Sequence, residues 1–224
     1  MGKASHIAKR KVLIVDDQPV MRWGIAHLIE READLAVCGE AEDAHGALQA
    51  IEKLKPDIVI VDISLKDGSG IELIKDMASR SPRLPVLVIS IHDELFYAER
   101  VLRAGARGYL TKREPPENIL EALRRILEGN IYVSESIASR MLRTFVAGKP
   151  DSHGFFVDRL SDRQFQIFEL IGQGLQTREI AKRLHLSVKT IDSHRENIKG
   201  KLDLGSSQDL LRFAIQWVQF GRGT

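Results

Sequence analysis

Apolar positions in this chain follow one pattern up to about residue 130 and another after it. In the first part short apolar runs recur: KVLIVDD (11–17), DIVIVD (57–62) and PVLVIS (85–90), with shorter versions in LAVCGE (35–40) and GYLTK (108–112). Runs of this length, rich in Val and Ile, suit strands buried on both faces of a parallel sheet. Between them lie stretches of helical period: 19–32, 44–54, 70–79, 94–104 and 116–128. Five strands alternating with five helices predict a doubly wound α/β domain. Such a sheet gathers its functional groups at the carboxyl ends of its strands.

After Gly129 no further Val/Ile run appears. Residues 134–146 read as a helix, and 147–158 (AGKPDSHGFFVD) have the composition of a linker. The remainder reads as short helices with start signals. Ser161 and Gln164 form a capping box. Thr177 is placed to cap a helix through Leu184, Ser187 one through about Leu202, and Ser206 or Ser207 a last one through about Phe220. The expected organisation is an α/β domain over 10–130, a linker with a helix over 131–158, and an all-α domain over 159–221.

Composition narrows the class. The 224 residues leave room for one large or two modest domains, and 43% hydrophobic with 29% charged side chains is an ordinary globular balance. The single cysteine, Cys38, allows no intrachain disulfide and no Cys-based zinc cluster. It is expected to act as a small buried hydrophobe. The start, MGKASHIAKRK, has no apolar core and does not read as a secretory signal. No stretch approaches ~18 consecutive apolar residues, so the expected setting is cytoplasmic, with no membrane. The net charge of +2 hides a division. Residues 1–131 carry 19 basic and 21 acidic side chains, whereas 178–201 carry 7 basic and 3 acidic.

Chemistry concentrates in two places. Asp16 and Asp17 end the first strand and Asp62 the third, which are neighbours at the switch point of a sheet of order 2-1-3-4-5. Three adjacent carboxylates need a compensating cation or protons, and hard oxygen donors suit Mg²⁺. Ser90 ends the fourth strand and Lys112 the fifth. A carboxylate with a nearby metal and Lys can attack a phosphoryl group and hold it as an aspartyl phosphate. The turn Asp16-Asp17-Gln18-Pro19 lacks the glycines of a dinucleotide site and would repel a pyrophosphate. A phosphatase of the haloacid dehalogenase type would share Asp, Mg²⁺ and Lys. It would need a DxD pattern after the first strand, where this chain has Asp-Asp-Gln.

Residues 10–130 resemble a response-regulator receiver domain, through LIVDDQ, IVIVDISLKDGSGIELI, VLVIS and GYLTK. The resemblance implies a flavodoxin-like α/β receiver with Asp62 as phosphoacceptor. Asp16 and Asp17 would serve Mg²⁺ with the backbone carbonyl of Ser64. Ser90 would follow the phosphoryl oxygen, Tyr109 would switch rotamer with it, and Lys112 would pair with the phosphate. It further implies a sensor histidine kinase as donor, and no enzymatic role beyond slow autodephosphorylation. Lys66, where the family usually has Pro, and Ile91, where a small residue is commoner, depart from the pattern.

In the second part, helices over 177–184 and 187–202 joined at His185-Leu186 read as a helix-turn-helix. Val188, Ile191, Ile198 and Leu202 form the expected inward face of the second helix. Residues 160–220 are similar to the LuxR-type DNA-binding domain of the NarL/FixJ response regulators, through REIAKRLHLSVKTIDSHRENIKGKL. That similarity implies double-stranded DNA as partner and Val188–Leu202 as recognition helix. Lys189, Thr190, Arg195, Lys199 and Lys201 would face phosphates. Asp192, Ser193 and Glu196 would face base edges. The last helix would support a homodimer in the phosphorylated or DNA-bound form. A helical domain that binds protein or RNA is the alternative.

Overall fold

The computed structural model describes residues 9–66, 68–147, 157 and 159–221. Much of the expected linker, 148–156 and 158, lies outside the described residues, as does the N-terminal segment 1–8. The chain divides into two compact units at residues 139/140.

The first unit runs β1 (Arg10–Val15), α1 (Pro19–Glu30), β2 (Leu35–Ala41), α2 (Ala44–Leu54), β3 (Ile58–Val61), β4 (Ser64–Leu65), β5 (Gly68–Ser69), α3 (Gly70–Arg80), β6 (Val86–Ser90), α4 (Glu94–Ala104), β7 (Gly108–Thr111) and α5 (Pro116–Leu127). The parallel sheet has the order β2-β1-β3-β6-β7. This is the expected 2-1-3-4-5 topology. The ribbon β4–β5 escapes sequence reading because two-residue strands carry no period. The central strands β1, β3 and β6 are buried on both faces, as their unbroken Val/Ile runs require. On one face Val12, Ile14, Ile58, Ile60, Leu87 and Ile89 pack against Ile25 and Ile29 of α1 and Leu123 and Ile126 of α5. Each such side chain contributes roughly 1.5–3 kcal/mol on burial. Cys38 departs from expectation: it is half-buried, because β2 is an edge strand.

Helix starts are specified locally. Asp43 accepts the Gly46 N–H at 2.7 Å and Asp93 the Leu95 N–H at 3.0 Å. Pro19 and Pro116 occupy first turns, where no amide donor is needed. Helix α6 (Glu135–Ala147) follows from Ser134.

The second unit contains α7 (Asp162–Gly172), α8 (Thr177–Arg183), α9 (Val188–Lys201) and α10 (Ser207–Gly221). Ser161 and Gln164 form the expected capping box. Thr177 does not cap α8. Gln176 does, because Glu179, three residues on, accepts its N–H at 2.7 Å. Phe165 and Phe168 of α7 pack edge-on against Trp217 of α10. Ile180, Ile191, Ile198, Leu202, Leu210, Ala214 and Val218 complete the core.

Candidate functional site

Strand pairing builds the acidic cleft. Because Ile14 aligns with Ile60 and Val15 with Val61, the next residues along, Asp16 and Asp62, emerge side by side. The Asp62 N–H donates to the Val15 carbonyl at 2.8 Å. Asp16 Oδ1 accepts the Gln18 N–H at 2.8 Å, which fixes the turn into α1. Asp62 Oδ1 accepts the Ser64 N–H at 3.3 Å. Ligand atoms of Asp16, Asp17 and Asp62 all lie within 4.8 Å of one another.

Lys112 follows β7 and reaches into this cluster. Its Nζ lies 2.6 Å from Asp62 Oδ2 and 2.7 Å from Asp16 Oδ2, with all three side chains buried. Burial pushes the Asp16 carboxyl above the ordinary range; the Lys112 hydrogen bond opposes this and the Asp62 charge adds to it. Burial also pulls on Lys112, but Asp62 and Asp16 outweigh it and hold the ammonium above its usual value. One ammonium shared between two buried carboxylates thus leaves Asp16 under-compensated. A cluster of hard oxygen donors with unbalanced negative charge fits Mg²⁺.

Ser90 ends β6, buried, with its Oγ accepting the His92 N–H at 3.4 Å. Tyr109 on β7 is fully buried, and its hydroxyl donates to the His92 carbonyl at 3.0 Å. The His92 ring lies 3.1 Å from Ser64 Oγ through Nε2 and packs on Tyr97. His92 therefore touches the Asp62 loop, Ser90 and Tyr109 together. No motif marks it in the sequence; its position two residues after Ser90 is the only local signal. Gly70 is likewise unmarked in the sequence pattern. A Cβ there would lie 2.0 Å from the Asp62 carbonyl oxygen, so only glycine lets α3 start against the Asp62 loop. Lys66 pairs with Glu42 at 3.2 Å, and Ile91 is 43% exposed.

In the second unit α8 and α9 form the helix-turn-helix. His185 takes a left-handed conformation, φ 53°, in the turn between them. Ser187 caps α9, accepting the Thr190 N–H at 3.0 Å, and its hydroxyl also bonds to that of Thr190 at 2.7 Å. Lys189, Asp192, Ser193 and Glu196 are exposed on one side of α9, and Arg195 is half-buried beside them. Ser193 donates to the Lys189 carbonyl. Lys199 pairs with Glu196 at 2.9 Å, and Lys201 donates to Gln164 Oε1 at 2.8 Å. Two of the expected phosphate-facing cations are thus engaged within the unit. Ile191, Ile198 and Leu202 face inward as expected, but Val188 is 43% exposed. As the first residue of α9 it lies past the packed face. It lines a groove of about 540 Å³ with Leu175, Leu211, Arg178, Asp192 and Arg195. No described helix is long and apolar enough to cross a membrane.

Both units match known protein families. Residues 12–124 match the response regulator receiver domain, and residues 158–214 match the bacterial regulatory proteins of the luxR family. The fold and cleft thus define a response regulator. More narrowly, the chain belongs to the NarL/FixJ-type response regulators: transcription factors, not enzymes, that join a receiver to a LuxR-type DNA-binding domain. It is 32% identical to the oxygen regulatory protein NreC of Staphylococcus aureus over 210 residues, covering 92% of this chain and 97% of NreC. The RcsB response regulator of Salmonella typhimurium superposes with a TM-score of 0.64 at 28% identity, covering 93% and 98% of the two chains. RcsB bound to the promoter P1flhDC with the phosphomimetic BeF3- superposes with a TM-score of 0.60 at 29% identity, covering 93% and 99%.

Proposed function

We propose that Asp62 accepts a phosphoryl group from a sensor histidine kinase and that this controls DNA binding by the helical domain. The observation that carries the reading is the buried Asp16–Lys112–Asp62 contact, a preorganised set of charges at the switch point of the sheet. In the reaction Asp62 Oδ attacks phosphorus, the P–N bond of the donor phosphohistidine breaks, and the imidazole leaves with a proton. The Lys112 ammonium stays with Asp62 and neutralises charge on the transferred group. The Ser90 hydroxyl donates to a phosphoryl oxygen. Asp16, Asp17 and Asp62, with the Ser64 carbonyl, would hold Mg²⁺, which when bound supplies positive charge at the reacting oxygens.

The receiver spans 10–130, the linker 131–158 and the DNA-binding domain 159–221. Once Ser90 is drawn toward the phosphoryl group, its hydrogen bond to His92 weakens, and Tyr109 responds through the His92 carbonyl. Phosphorylation thereby shifts a two-state population toward a homodimer that binds two DNA half-sites. Lys189, Thr190 and Arg195 contact phosphates of double-stranded DNA. Lys199 and Lys201 join them by giving up Glu196 and Gln164. Asp192, Ser193 and Glu196 face base edges, where a carboxylate accepts from a cytosine amino group. The setting is the cytoplasm.

The test is fluorescence anisotropy of labelled duplex DNA with the full chain, with and without acetyl phosphate and Mg²⁺. The expected result is salt-sensitive binding that tightens severalfold on treatment, in the wild type and not in Asp62→Asn. An equal response in both, or a preference for RNA of the same sequence, overturns the reading.

A further inference from the structure

The start of the linker helix is tied to the same two elements that carry the switch. The edge strand β7 does not end the sheet alone. Tyr132 lies alongside it in a parallel bridge to Gly108. The Tyr109 N–H donates to the Tyr132 carbonyl at 2.9 Å, and the Tyr132 N–H donates to the Arg107 carbonyl at 2.9 Å. Gly108 makes this approach feasible, since a Cβ there would lie 2.9 Å from the Tyr132 carbonyl oxygen and 2.7 Å from Ile126 Cδ1. Tyr109 is therefore held at both ends: its hydroxyl by the loop before α4, its amide by the segment that leads to α6.

The second tie runs through one hydroxyl. Ser134 Oγ accepts the Ile137 N–H at 3.2 Å, capping α6, and donates to Glu94 Oε1 at 2.9 Å. Glu94 is the first residue of α4, two residues after His92. Burial pushes its carboxyl above the ordinary range; the Ser134 hydroxyl opposes this, and Glu114 and Asp93 add to it. Ser134 is thus a compensating donor in an acidic surround. Ile137, in the first turn of α6, is buried.

We infer that the Glu94–Ser134 hydrogen bond is the coupling contact that carries the state of the Asp62 cleft into the linker helix. A shift of the loop from Ser90 to Asp93 moves Glu94, and Glu94 moves the cap of α6. The contact lies outside the cleft residues and plays no part in phosphoryl transfer. It acts only once Asp62 has been modified. This inference rests on the proposal that Asp62 phosphorylation controls DNA binding.

The experiment uses the full chain, a duplex enriched from a random-sequence pool on the acetyl-phosphate-treated wild type, and three variants: Glu94→Ala, Glu94→Gln and Ser134→Ala. Phosphoryl uptake at Asp62 and DNA affinity with and without acetyl phosphate are measured for each. Hydrogen exchange at the Ile137 and Ala138 amides gives an independent reading of the cap. Allosteric coupling is typically about 5- to 150-fold in affinity. The expected result is normal uptake in E94A and S134A, with the affinity ratio reduced to about twofold or less. E94Q, which keeps an oxygen acceptor, retains most of the ratio. Acetyl phosphate changes exchange at Ile137 and Ala138 in the wild type and not in E94A. A wild-type ratio preserved in E94A, or wild-type exchange at these amides that ignores phosphorylation, overturns the inference and leaves the cleft assignment standing. A wild type that takes up phosphoryl groups with no change in DNA affinity overturns both.

Discussion

The ammonium of Lys112 lies 2.6 Å from Asp62 Oδ2 and binds Asp16 at nearly the same distance. One cation serves two buried acids, so its loss strands both. Lys112→Ala is expected to lower stability by about 3–5 kcal/mol, the usual cost of an uncompensated buried charge. The double variant K112A/D62N recovers part of that loss, because only one carboxylate remains uncompensated. Urea unfolding of the four proteins in a double-mutant cycle checks this. Strictly additive losses contradict the shared-cation arrangement.

Two glycines make opposite predictions. Gly70 faces the Asp62 carbonyl with no room for a methyl group, whereas Gly24, inside α1, has nothing within 4 Å of its would-be Cβ. Gly70→Ala should destabilise by about 1–3 kcal/mol, as overpacking does, and slow phosphoryl uptake by displacing the Asp62 loop. Gly24→Ala should stabilise by about 0.5–1 kcal/mol through helix propensity. Thermal unfolding with acetyl phosphate labelling reads both effects.

His194 sets a pH dependence in the helical unit. Its Nδ1 is buried without a hydrogen-bond partner among the described residues. Burial, aided by the charge of Arg163, pulls its pKa below the ordinary 6.5. Between that lowered value and about 6.5 the unfolded chain binds a proton that the folded chain refuses. The contribution is therefore complete above about pH 6.5 and is lost as pH falls below it. Urea midpoints followed by Trp217 fluorescence, with Trp23 replaced by Phe, should fall as the pH drops below about 6.5. The fall should be smaller in His194→Gln. Equal slopes contradict the assignment.

Cations on α9 should all contribute to DNA binding but differ in their effect on stability. Lys189 is exposed and Arg195 lines the groove beside Asp192. Lys189→Ala and Arg195→Ala should each reduce the slope of log affinity against log salt by about 0.9. Lys201→Ala should also lower the slope and, unlike the other two, reduce stability, because in the free protein its ammonium holds Gln164 of the α7 capping box. Anisotropy titrations at several salt concentrations, with urea unfolding, separate the two outcomes.

Much of this molecule is readable in its sequence, for particular reasons. The Val/Ile runs fix which segments become central strands, and alternation with helices fixes the order of the sheet. Asp16, Asp62, Ser90 and Lys112 are legible because each stands directly after a strand or at its end, and Asp17 because it follows Asp16. Contacts that depend on close approach are not legible. Gly70 against Asp62 and Gly108 against Tyr132 are set by backbone separation, which leaves no mark in a pattern of apolar residues. Val188 carries the right spacing for an inward face but stands at the first position of its helix, beyond the elements that bury Ile191. Thr177 is a good cap by residue type, yet Glu179 selects Gln176 by reaching back three positions. The Glu94–Ser134 contact joins residues 40 positions apart and has no local signature.

The most direct test of the account is to locate the phosphoryl group. The full chain is treated with acetyl phosphate and Mg²⁺, the acyl phosphate is trapped by reduction, and the modified peptide is sequenced by mass spectrometry. One modified residue is expected, Asp62, with labelling lost in Asp62→Asn and weakened in Asp16→Asn. Modification at another residue of the wild type, or equal labelling of Asp62→Asn, contradicts the assignment.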